Sequence, residues 1–207
     1  MVPVAGDGAV AQWVGELIHS RANIGPKRLV APGPDAAQLQ WILEAACAAP
    51  DHGQLRPWRF VLVPADKRGL LAQAFEDALR ERDAQASAEQ LEMAREKAFR
   101  APVLVCAITC LAAGKDTPAT PQTGTPVHDN ERLVTLGCAI QNVLLSAHAL
   151  GYGSGLTSGQ AMHSQALRTL LALQPHEQAV CCINIGTVSK HKSASRRAGL
   201  QGSFSVL

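Results

Sequence analysis

Apolar positions recur along this chain with two periods, and the alternation between them outlines the fold. Trp13, Val14, Leu17 and Ile18 repeat at helical spacing and predict a helix over about 10–20. Arg21 follows Leu17 at i+4, so it emerges from the buried side of that helix. The Pro- and Gly-rich stretch 25–34 reads as a loop. Asp35 then caps a second helix carrying Leu39, Ile42, Leu43 and Ala46, which ends by Pro50. The unbroken run Phe60-Val61-Leu62-Val63 predicts a strand over 59–63 covered on both faces. An amphipathic stretch, 66–84, and a second charged one, 88–99, predict surface helices, the latter stopping at Pro102. A buried strand follows over 103–109. The segment 112–128, rich in Gly, Pro and Thr, reads as a mobile loop or lid. Residues 133–150 predict a helix apolar nearly all round, hence central. A glycine-punctuated strand (154–158), a helix (164–173) and a strand (179–185) complete the core. Beyond Lys190 the chain is basic and then extended, with Phe204, Val206 and Leu207 alternating loosely like an edge strand.

Interleaved helices and strands give an α+β (mixed α/β) class with one mixed sheet flanked by helices. We expect a single domain over 10–189 and a C-terminal arm over 190–207.

Composition narrows the partners. The 207 residues are 47% apolar, enough for a core, and carry a formal charge of +2, so no global field recruits nucleic acid or an anionic membrane. No Asp, Glu, Lys or Arg occurs from Leu133 to Leu167, which calls for a membrane check. Gln141, Asn142 and His148 interrupt that stretch and three glycines follow, so we read a buried helix and no membrane span. The N-terminus has no basic and apolar leader pattern, which points to the cytoplasm. The six cysteines sit in apolar runs without a C-x-x-C pair and read as reduced, buried thiols, with Cys181 and Cys182 on opposite faces of a strand.

Motif searches exclude more than they find. In the glycine-rich segment 151–159 the glycines follow a helix and enter a strand, the reverse of a dinucleotide fingerprint. There is no P-loop and no nucleophile elbow. Seven scattered histidines with no H-x-x-x-H pair give no metal site. Two segments stand out: Ser20-Arg-Ala-Asn-Ile-Gly-Pro-Lys-Arg28, and Ala48-Ala-Pro-Asp-His-Gly-Gln-Leu-Arg-Pro-Trp-Arg-Phe60, which leads into a strand. With the glycine-rich strand and the C-terminal basic run, they resemble the nitroreductase family of FMN enzymes. The similarity is strongest to a branch of small bacterial NAD(P)H nitroreductases that carry Ala-Pro-Asp-His and Pro-Trp-Arg-Phe.

That resemblance implies a flavin site. Arg21, at the first Arg of an Arg-Arg-Ser motif, would make charge-assisted bonds to the FMN phosphate. Ala22 and Asn23 occupy the next two motif positions, and Lys192 or Arg196 would supply a second cation. Ala48 and His52 stand at flavin-contact positions, His52 reaching across a dimer, and Gln54 would bond the ring edge or ribityl. Leu156, Thr157 and Ser158 align with the flavin-contacting loop. Ser146, Ala147, His148, Ala149, Leu150 and Gly151 align with a nicotinamide-nucleotide site. No residue is implied as an obligatory acid or base. Ala22, Arg56, Leu156 and Thr157 depart from the family pattern and would shape the pocket.

The family fold implied is an intertwined homodimer with two FMN at the interface and C-terminal arms exchanged. Its reaction is ping-pong: NAD(P)H reduces the flavin, and a nitroaromatic, quinone or similar small acceptor takes the electrons. Two alternatives stay open, a flavin enzyme of other chemistry on the same fold and a flavin-free binding or regulatory module.

Overall fold

Five strands form one sheet in the computed structural model, which describes residues 8–112, 127–190 and 199–206. Its spine is β5, Glu177–Val188. This strand pairs with β3, Val103–Cys110, with β4, Gly153–Thr157, and at its last two residues with β1, Leu29–Val30. The edge strand β2, Trp58–Leu62, pairs with β3. All these ladders are antiparallel; parallel pairing is reduced to one bridge, Asn23 with Ser154. The expected mixed sheet thus has a largely antiparallel ladder pattern within one chain.

The apolar run in β3 serves two cores because successive strand residues face opposite ways. Leu104, Cys106 and Ile108 pack under α3 (Arg68–Arg82), α4 (Ala88–Glu96) and α6 (Gln165–Leu170), with Leu71, Phe75 and Leu167. Val103, Val105 and Ala107 face α2 (Ala36–Glu44) and α5 (Asp129–Ala149), with Ile42, Leu136 and Val143. Cys182 joins the first core and Cys181 the second, as strand alternation requires. Capping boxes start α2, from Asp35 and Gln38, and α4, from Ser87 and Gln90. The remaining helix, α1 (Gly8–Ser20), lies against α5 and has no buried residue.

Several sequence expectations change here. The strand at 58–62 is half-buried, not covered on both faces, because it ends the sheet. Helix α3 is less of a surface helix than its charges suggest: Leu71, Ala72, Phe75 and even Arg68 are buried. Helix α5 is buried on one side only; Leu133 and Val134 on its outer side are exposed, Val134 by 64%. Cys47 is exposed. Strand β1 was hidden inside a stretch read as loop. Residues 199–206 form no strand within the chain, and Phe204 and Val206 are exposed. The expected lid falls mostly in 113–126, outside the described residues.

Candidate functional site

At the C-terminal end of α5, Gly151 adopts a left-handed backbone (φ 84°) that lets the helix stop. Leu150, Gly151 and Tyr152 donate their N–H groups to the carbonyls of Ser146, His148 and Ala147, closing the last turn. Residues 146–151 are therefore the cap of a helix packed against α1. The Ser20 hydroxyl and His148 Nε2 share a hydrogen bond of 2.8 Å that ties the two helices. Burial, and then the charge of Arg21, push the His148 pKa below its ordinary value, so its neutral ring is favoured. Ser20, Arg21, Ala22, His148, Gly151 and Ser154 line a small cavity of about 150 Å³. The Ser154 hydroxyl is buried there without a hydrogen-bond partner among the described residues.

From Arg21 the chain runs beside β4. Ile24 N–H donates to the Ser154 carbonyl at 2.9 Å, and Leu156 N–H donates to Asn23 Oδ1 at 3.1 Å. A Cβ on Gly155 would collide with the Ile24 carbonyl oxygen, so only glycine allows this approach. Two separately predicted segments, Arg21–Asn23 and Leu156–Ser158, are thus brought together by backbone contact. On the far side of β4, Thr157 and Ser158 open onto a larger cavity of about 450 Å³. Its polar wall includes Gln90, Arg82, Lys97 and Arg100, and Asn184 at its base donates to Thr157 Oγ1 at 3.0 Å. The Arg100 Nε is buried without a hydrogen-bond partner among the described residues. Sequence reasoning missed this basic wall by assigning its residues to solvated helix faces. The available signal was spacing: Met93, Lys97 and Arg100 follow one another at i, i+4 and i+7 on one side of a helix and its continuation.

His52 lies elsewhere. It sits in a tight turn after Pro50, where Gly53, Gln54 and Arg56 all have left-handed backbones (φ 66°, 52° and 47°). Asp51 holds that turn by accepting from Arg56 N–H at 2.7 Å. Such conformations in Gln54 and Arg56 each cost on the order of 1 kcal/mol, and they gather at functional sites. His52 Nδ1 donates to Glu131 Oε2 at 2.6 Å, with both side chains about half exposed. Glu131 is in the first turn of α5 and His148 in its last, so the two clusters are separated by about 25 Å of helix. Within one chain, His52, Gln54 and Ala48 do not meet Arg21 and Asn23. Lys192 and Arg196 lie outside the described residues. Among the described residues no His, Cys, Asp and Glu group could hold a metal ion, and no helix is long and apolar enough to cross a membrane.

These features define a class: a helix-flanked antiparallel sheet whose glycine-bearing strand separates two largely apolar cavities, one beside an N-terminal Arg-x-Asn and one with a basic wall. The chain belongs to the nitroreductase family, whose family model matches residues 29–187. A Haemophilus influenzae protein bearing the name "Putative NAD(P)H nitroreductase" is 32% identical over 161 residues, covering 78% of this chain and 82% of that protein. The fold resembles that of a Bacillus cereus nitroreductase-like protein (TM-score 0.76, 16% identity, 100% of this chain and 98% of the other). It also resembles an FMN- and NADPH-dependent nitroreductase, NfnB, from a bacterium given as sphigopyxis sp. strain HMH (TM-score 0.67, 18% identity, 93% and 97%). The protein is accordingly a nitroreductase-type oxidoreductase.

Proposed function

We propose that the protein is an FMN-dependent oxidoreductase that moves electrons from NAD(P)H to a nitroaromatic, quinone or similar small acceptor. One observation carries the reading: the 450 Å³ cavity beside Thr157 and Ser158 has a basic wall, in which Arg100 pairs with Glu96 at 3.8 Å yet keeps a buried Nε without a partner among the described residues. That volume is within the roughly 300–1,000 Å³ of small-molecule sites. An orphaned buried donor calls for an acceptor, because leaving it unpaired costs about 1–3 kcal/mol. FMN phosphate oxygens suit the Arg21 cavity, where the Ser154 hydroxyl is buried without a partner among the described residues, and a carbonyl- or nitro-bearing acceptor suits the basic wall across β4. When bound, FMN supplies the two-electron chemistry of a ping-pong cycle.

The chain's own residues do the rest. Lys97 and Arg100 favour negative charge inside a cavity partly closed from water. Arg21 and Asn23 hold the phosphate end, with the buried Ser154 hydroxyl as a further donor. Lys192 or Arg196 supplies the second cation. Thr157 and Ser158 are exposed at the cavity mouth, Leu156 is exposed beside Asn23, and Ser146–Gly151 offer the nicotinamide the α5 cap. The separation of the two clusters by about 25 Å supports a homodimer in which Ala48, His52 and Gln54 of one subunit complete the site of the other. The exposed apolar outer faces of α1 and α5 support that assembly, Trp13 being 58% exposed.

Arg21→Ala tests the reading. Loss of a charge-assisted bond worth about 1.5–3 kcal/mol should weaken FMN ten- to a hundred-fold. Riboflavin, which has no phosphate, should bind about as it does to wild type. Fluorescence titration of both flavins into apoprotein measures this. Unchanged FMN affinity, or equal loss for both flavins, refutes the phosphate assignment; wild type that binds neither flavin refutes the function.

A further inference from the structure

Cys106 on β3 and Cys182 on β5 are direct cross-strand partners, and their sulfurs lie 3.8 Å apart. Opposed residues in an antiparallel pair have Cα atoms about 4.5 or 5.5 Å apart, within the span of a disulfide. Side-chain rotation alone has to bring the sulfurs to about 2 Å. The other thiols are placed differently. Cys181 faces the opposite core, and Cys110 contacts Glu177 at 3.9 Å, near the end of β3. Cys47 and Cys138 lie on the α2 and α5 side.

Both cysteines are buried, Cys106 at 0% and Cys182 at 1% exposure, and they differ in what they abut. Cys182 lines the 450 Å³ cavity, whereas Cys106 does not. The hydrogen bond from Cys182 pulls the Cys106 pKa down against the cost of burial, and the nearby Arg68 guanidinium adds to that pull. The same contact, with burial, pushes the Cys182 pKa up.

We propose that Cys106 and Cys182 form an oxidisable dithiol, reached through the cavity, that a hydroperoxide converts to a cross-strand disulfide. Cys182 passes its proton to the Cys106 sulfur as its own sulfur attacks the peroxide oxygen; the O–O bond breaks, giving Cys182 sulfenic acid and hydroxide or alkoxide, which takes a proton to leave as water or an alcohol. Cys106 sulfur then attacks the sulfenic sulfur, the S–O bond breaks, and a second water leaves with the Cys106 proton. Two thiols are oxidised and one peroxide is reduced. The new bond joins strands already paired, so the sheet keeps its register.

The purified full chain, treated with hydrogen peroxide near neutral pH and then alkylated, provides the test. Its intact mass should fall by two hydrogens before alkylation, reversibly with dithiothreitol. A non-reducing digest should contain β3 joined to β5, with fragmentation locating the link at Cys106 and Cys182. The link should persist in Cys110→Ala and Cys181→Ala and vanish in Cys106→Ala and Cys182→Ala. In Cys106→Ala, dimedone should trap a sulfenic acid at Cys182. A link through Cys110 or Cys181, or oxidation confined to other thiols with this pair still reduced, overturns the proposal. The wild-type digest decides it even if the buried alanine variants fail to fold.

Discussion

On the sheet face carrying α3, α4 and α6, most inward charges are anchored by partners from the same chain, Arg100 Nε being the exception among the described residues. Arg68 donates to the carbonyls of Val63, Ala98 and Pro102, and Glu76 accepts from both Arg80 and Arg95. Arg59 grips Glu177 with two nitrogens, and Arg168 closes the neighbouring turn by bonding the Gln174 and Glu177 carbonyls. The other face has an equally dry inner layer, yet its outer layer is unfinished: Trp13, Ile18, Leu133 and Val134 are large, apolar and exposed. The first face joins most of its charges within the chain, although Leu70, Met93 and Phe99 stay exposed on it; the second presents its exposed apolar residues on two adjoining helices.

The sharpest way to break this contrast is Val134→Arg. It puts a charge on the exposed outer side of α5 without touching the core beneath. Intertwined obligate interfaces bury roughly 2,000–5,000 Å², and an unpaired charge within one is strongly disfavoured. Light scattering at micromolar concentration should show a wild-type dimer and a variant of half its mass. A dimeric variant, or a monomeric wild type, would remove the reason given for the unfinished face.

Acid sharpens the other half of the comparison. The Arg59 hydrogen bonds hold the Glu177 carboxyl at about 2, down from an ordinary 4.5. Because the folded value is the lower, the stabilisation is complete above pH 4.5 and is lost as pH falls toward 2. The unscreened shift corresponds to about 3 kcal/mol. Arg59 is 39% exposed, so solvent screening reduces this to roughly 2 kcal/mol. Glu177→Gln should cost about that much at neutral pH, and its melting temperature should fall less steeply between pH 4.5 and 2. Parallel acid limbs in the two proteins would show that the pair stabilises nothing.

The same contrast explains what could be read from the sequence. Dry elements announced themselves: β3 and β5 by unbroken apolar runs, α2 by Asp35 and its helical stripe. What escaped depended on neighbours far along the chain. Strand β1 is two residues long and exists only because the end of β5 offers it partners. The basic wall formed by Lys97 and Arg100 looks like any solvated helix face until β4 is set opposite. Asn23 and Leu156 could each be picked from family resemblance, but their contact across 133 residues could not. The separation of His52 from Arg21 follows from the length of α5, which local pattern reveals only in part, since its charged first turn reads as loop.

The weakest effect expected lies where the two ends of this argument meet, at the junction of α1 with α5. Helix α1 buries no residue of its own, so its last turn leans on the Ser20–His148 hydrogen bond. His148 has a folded pKa below its ordinary 6.5 because of burial and then Arg21. Its contribution is therefore full above pH 6.5 and declines as acid protonates the ring beside a guanidinium. A protonated ring can only donate, although the Ser20 hydroxyl can turn to accept, so the repulsion from Arg21 outlasts any change in the bond itself. Ser20→Ala removes the bond at every pH and should cost no more than about 1 kcal/mol. Amide hydrogen exchange in residues 8–20 is the sensitive measure. Wild type should exchange faster at pH 5.5 than at 7.5 after correction for intrinsic rates, whereas Ser20→Ala should already be fast at 7.5 and gain less on acidification. If the variant and wild type respond alike to pH, the hydrogen bond does not couple His148 to α1, and the outer layer of this face is held by the apolar contacts of its helices alone.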